Sequence, residues 1–156
     1  MGFTLQTFTL FHVLVSLAGI ISGLVVAGGL AGGRRLRGWT GVFLITTALT
    51  SVTGFGFPSN TLLPSHVVGA ISLVVLVAVL AAQVKGWPRI YAGGVVTATY
   101  LNSFVLVVQL FRRIPDLTAL APTQSEPPFA ITQFLLLASF IWLEIAANAG
   151  SRSIAR

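Results

Sequence analysis

Hydrophobic side chains dominate five stretches of the chain, at about residues 8–31, 39–57, 64–84, 90–111 and 128–149. Each stretch stops at a polar or helix-breaking cluster. Gly32-Gly33-Arg34-Arg35-Leu36-Arg37 closes the first, Pro58-Ser59-Asn60 the second, Lys85-Gly86-Trp87-Pro88-Arg89 the third and Arg112-Arg113 the fourth, while Gly150 opens a short basic tail. A helix crossing the hydrocarbon core needs roughly 20 predominantly apolar residues, and each run is near that length. The expected fold is all-α: one domain over residues 1–156, an integral membrane bundle of five transmembrane helices. The long connection at residues 112–127 carries Pro115, Pro122 and Pro127, which keep it from being one continuous helix. Its Asp116–Ala121 segment has the makings of one helical turn, and its leucines favour a loop packed over the mouth of the bundle.

Composition supports this class. Of 156 residues, 55% are hydrophobic and 8% charged, whereas a soluble domain carries about a quarter charged residues. The net charge of +6 would suggest nucleic acid on a soluble surface. Here the cations flank apolar runs, so lipid is the expected partner and nucleic acid is not. With alternating spans, Arg34, Arg35, Arg37, Lys85, Arg89, Arg152 and Arg156 fall on one side and only Arg112 and Arg113 on the other. That bias makes the first side cytoplasmic and the N-terminus external, in the cytoplasmic (inner) membrane of a bacterium. A four-span chain with a re-entrant segment would spoil this count. Trp39 and Trp87 lie at the inner boundary, where indoles favour the headgroup region. The chain has no cysteine, which removes disulfides and thiol chemistry.

Polar residues inside the runs then carry the functional signal, because the helices satisfy their own backbone. His12, Ser16, Gly19 and Gly23 share one face of the first span. Thr46, Thr50 and Thr53 share a face of the second, His66 and Gly69 open the third, Asn102 and Gln109 mark the fourth, and Gln133 and Glu144 the fifth. Gly, Ser and Thr stripes of this kind serve mainly as helix-packing seams. Gly19 and Gly23 form a GxxxG pair through which the chain could homo-oligomerise, or it could join a larger membrane complex.

Ionisable residues within a membrane are costly and therefore point harder to function. His12 and His66 both lie near the outer ends of inward-running spans. Their depths differ by about 3 Å if the first helix starts at Phe8 and by roughly 9 Å if it starts near Thr4. A histidine pair can ligate haem b axially or polarise a quinone carbonyl, so these two cofactors head the expectations, with no firm metal site. The expected binding residues are His12, His66, Ser16, Asn102, Gln109 and Gln133. Glu144 lies about 24 Å from the outer end of its span, too deep to join the histidines. It is expected to pair with Arg34 or Arg35 at the inner boundary, or to carry a proton.

No GxSxG, P-loop, HExxH or paired-carboxylate pattern is present, so enzymatic activity stays open. The leading expectation is a multi-pass protein that binds a small ligand or redox cofactor in an outward-facing pocket near His12 and His66. A small-solute or proton transporter and a non-catalytic accessory subunit are the alternatives.

Overall fold

The computed structural model describes residues 4–57 and 64–154, which are 87% helical and contain no strand. Five long helices, α1 (Leu5–Ala31), α2 (Arg37–Gly54), α3 (Pro64–Lys85), α4 (Pro88–Arg113) and α6 (Pro127–Ile154), and the six-residue α5 (Pro115–Leu120) make up most of the described residues. The helices overrun most of the expected apolar runs, most clearly at the start of α1 and the end of α6. Among the described residues, α1, α3, α4 and α6 are long and apolar enough to cross a membrane. Their outward surfaces carry Val74, Val84, Phe134 and Trp142, each at least 70% exposed, as expected of an integral membrane protein. The expected second span is the exception. In α2, 18 residues include five threonines and a serine, and its hydropathy falls short of the other four.

Local chemistry sets the helix ends. Thr4 caps α1, its hydroxyl accepting from Thr7 N–H. At the other end Gly33 takes a positive φ of 68°, and Arg34 N–H returns to Gly29 O at 2.8 Å. Gly86 ends α3 the same way, with φ 69° and Trp87 N–H bonded to Ala82 O at 2.9 Å. Both are left-handed glycine caps that consume otherwise orphaned carbonyls. Prolines open α4 and α5 at positions where no helical N–H is needed.

Four helices form a ring in the order α1, α2, α3, α4, with each packed on its neighbours. The diagonal pairs approach far less closely. α6 lies outside the ring in the groove between α1 and α4, and α5 rests on α4. The long helices alternate in direction: His12 meets Thr53, Phe55 meets His66, Tyr91 meets Thr40 and Phe111 meets Phe129. The bundle therefore has a His12 end and a Glu144 end.

Lipid tails are as apolar as leucine, so close contact rather than hydrophobic transfer holds these helices together. A Cβ on Gly23 would overlap the Thr99 side chain, and one on Gly150 would overlap the Leu30 and Ala31 carbonyls. Gly19 is also buried, 3.2 Å from Thr47 Oγ1 as measured from where its Cβ would stand. Both members of the Gly19/Gly23 pair are thus spent on contacts within the chain rather than displayed on its outer face. The main hydrophobic cluster lies toward the Glu144 end, where Val26, Ala27, Leu30, Phe43, Val79, Tyr91, Val95 and Ala147 are all essentially buried; at the His12 end Phe111 and Ala121 are buried on the outer side of α4. The His12 half is not filled in this way.

Candidate functional site

Where the core stops, the ring opens into a cavity of about 550 Å³ at the His12 end. α1 supplies Thr9, His12, Val13 and Ser16, and α2 supplies Thr50, Ser51, Gly54 and the following Phe57. α3 adds Val68, Gly69 and Ser72; α4 adds Asn102, Val105, Gln109, Arg112 and Arg113. Below this space Phe43, Val79 and Val95 are fully buried, so the cavity is blind toward the Glu144 end.

Most hydroxyls around it are already satisfied by their own helices. Thr50 donates to Thr46 O, Ser51 to Thr47 O and Thr53 to Leu49 O, at 2.7–2.9 Å. Such i−4 bonds explain how so many threonines sit in one helix without partners elsewhere. Two wall residues break this pattern. Asn102 is 7% exposed and Ser72 1%, yet Asn102 Nδ2 and Ser72 Oγ have no hydrogen-bond partner among the described residues. A buried unpaired polar group costs about 1–3 kcal/mol, so these two mark where the fold tolerates a penalty.

His12 has a defined orientation. Its Nδ1 lies 2.8 Å from Thr53 Oγ1, and its ring meets Phe57 edge-on at 5.0 Å. The single hydroxyl proton of Thr53 goes to Leu49 O at 2.7 Å, so Thr53 accepts from His12 and Nδ1 carries the hydrogen. In the neutral ring Nε2 is therefore the lone-pair nitrogen.

The expected binding residues divide. His12, Ser16, Asn102 and Gln109 line the cavity together. His66 does not: its ring stacks on Phe55 at 5.5 Å, on the α2 side of α3. It stands about 110° around the helix from the mean direction of Val68, Gly69 and Ser72, at 100° per residue. Gln133 is also elsewhere, its Nε2 donating to Phe104 O at 3.3 Å and tying α6 to α4. Among the described residues no group of three or more His, Asp or Glu side chains could hold a metal ion.

At the opposite end Glu144 accepts from Asn148 Nδ2 and lies against Gly93, whose missing side chain leaves it room. It opens on a shallow groove of about 630 Å³ shared with Arg89 and Arg152. Arg35 instead stacks over Tyr91 at 5.3 Å, and Arg34 is exposed; neither forms an ion pair with Glu144 among the described residues. The arginines that share its groove are thus Arg89 and Arg152 rather than Arg34 and Arg35, since helix periodicity does not say which neighbours α6 will face.

The connection beyond α4 is bound down at several points. Thr118 Oγ1 donates to Phe111 O at 2.8 Å, and Gln124 Nε2 to Val108 O at 2.9 Å. Glu126 accepts from the Thr123 hydroxyl and from Thr123 and Ser125 N–H groups. Desolvation pushes the Glu126 carboxyl up, but these hydrogen bonds outweigh it and hold the group below the usual carboxylate range. Of the loop, only Arg112 and Arg113 reach the cavity, both at its rim.

Sequence reasoning missed Ser72, Arg112 and Arg113. A lone serine in an aliphatic run reads as bonded to its own helix, and two arginines at a helix end read as a topology signal. Comparison with protein-family models, curated proteins and solved structures yields no match to the chain.

Proposed function

We propose that the chain is a five-span membrane protein that binds a small ligand in the His12-end cavity, which opens on the outer side. The observation that carries this reading is a cavity of about 550 Å³, closed toward the Glu144 end, whose wall carries His12 and Ser16 from α1 and Asn102 and Gln109 from α4. Internal packing alone would favour aliphatic residues there, and a few polar groups placed around an apolar space are what a small-molecule site uses.

α2 serves as the fifth span. Its 18 residues cover about 27 Å, close to the core thickness of a bilayer. Val42, Ile45, Leu49 and Val52 form an exposed apolar stripe at helical spacing, while Thr40, Thr47, Thr50 and Ser51 turn inward. Low hydropathy thus reflects its inner face, not the face lipid would meet. With five spans, Arg34, Arg35, Arg37, Lys85, Arg89 and Arg152 gather at the Glu144 end, which is the cytoplasmic one. In a chain without cysteine, single cysteines report topology cleanly. Thr4→Cys and Ser125→Cys label with an impermeant thiol reagent in intact cells, and Arg152→Cys only after permeabilisation. Labelling of Thr4→Cys and Arg152→Cys from the same face would leave an even number of spans.

The ligand reading is tested by native mass spectrometry of protein extracted from its own membrane, alongside an absorption spectrum. Wild type retains a non-protein mass that Asn102→Leu loses while keeping its helix content. A haem Soret band would assign a redox cofactor with His12 Nε2 as one ligand. Identical mass spectra for wild type and Asn102→Leu would sink the reading.

A further inference from the structure

We infer that the cavity selects a hydroxylated organic anion: a carboxylate or phosphate at the rim, a hydroxyl deeper in the cavity at His12, and an apolar body between the helices. This rests on the cavity being a ligand site, and adds the chemistry of what it takes.

Charge comes first. The ionisable side chains on the wall are His12, Arg112 and Arg113, and among the described residues no carboxylate lines it. An anion is drawn to that rim and a cation is repelled. Arg113 Nε donates to Gln109 Oε1 at 3.4 Å, which leaves its terminal N–H groups and the whole Arg112 fork for a ligand oxyanion. Guanidinium forks match the planar carboxylate and the phosphate edge.

Donor and acceptor directions come second. With Nδ1–H committed to Thr53, His12 presents an acceptor at Nε2, which calls for a ligand hydroxyl. Asn102 lines the same wall further along α4, where its side-chain amide adds a polar contact. Along α4 the two arginines lie about 5 Å beyond Gln109 and about 15 Å beyond Asn102, so rim and floor can engage different ends of one molecule. Val13, Val68, Val105 and Phe57 line the space between them. A soluble hydroxy acid and the headgroup of a hydroxylated anionic lipid share this chemistry.

Calorimetry on the full chain in nanodiscs tests it, with 4-hydroxyphenylacetate, phenylacetate and tyramine as probes. The hydroxy acid binds about tenfold more tightly than phenylacetate, the worth of one hydrogen bond, and tyramine does not bind. His12→Phe brings the ratio of the two acids to about one while the acid still binds. Replacing Arg112 and Arg113 by Gln together abolishes acid binding. Discs containing phosphatidylglycerol that block the acid, where phosphatidylcholine discs do not, assign the natural source to lipid; equal binding in both assigns it to a soluble acid. Tyramine binding as tightly as the acid, or His12→Phe keeping the tenfold ratio, overturns the inference. So does no binding of either acid; a non-protein mass lost in Asn102→Leu would then still support a ligand site of other chemistry.

Discussion

Asn102 shows how far a single residue can be read from sequence. Its position on one face with Gln109 is plain from spacing, but its unpaired amide nitrogen is visible only once Gly19 and Thr47 are placed beside it. Replacing it by leucine removes an unsatisfied buried donor, so Asn102→Leu unfolds at the same temperature as wild type or higher in ligand-free detergent. A loss of more than about 2 kcal/mol would mean that the amide is structurally bonded. Thr53→Val has the opposite sign. It leaves His12 Nδ1–H without its acceptor and costs about 1–3 kcal/mol, measured by thermal unfolding. Glu126 gives a pH signature at the surface. Its folded pKa lies below the ordinary 4.5, so its stabilisation is present above that value and fades as pH falls through the depressed one. Protection factors at Thr123 and Ser125, taken against the intrinsic exchange rate at each pH, should fall on acidification below about pH 4.5, and Glu126→Gln should remove that dependence.

At the level of elements, the helices were legible because apolar runs, glycine caps and opening prolines all agree. What sequence could not supply was the partner of each face. The threonines of α2 read as a packing seam, yet most bond their own backbone, and of them Thr50 lines the cavity. His66 and His12 look paired in register, but α1 and α3 are diagonal in the ring, and rotation of α3 turns His66 to Phe55. Glycines separate the same way. Gly23→Ala and Gly150→Ala force α1 from α4 and from α6 and should each lose about 1–3 kcal/mol. Gly28, with nothing within 4 Å of its added Cβ, should be neutral or gain up to about 1 kcal/mol as alanine through helix propensity. Equal losses at Gly23, Gly150 and Gly28 would show that propensity, not packing, governs these sites.

For the whole molecule, charge and hydropathy conveyed the class, while the uneven filling of the bundle emerged only in three dimensions. The Glu144 half is dense and the His12 half hollow, although aliphatic residues are spread along the entire chain. Hydrostatic pressure acts on empty volume, and squeezing favours whichever state eliminates it. Compression should therefore be one-sided. Under rising pressure, NMR shifts of methyl groups at Val13, Val68 and Val105 move first, and those at Val79 and Val95 hold until the chain unfolds. An occupant of the cavity would abolish that difference, so barometric response becomes a reporter of whether the site is filled, with no need to know by what.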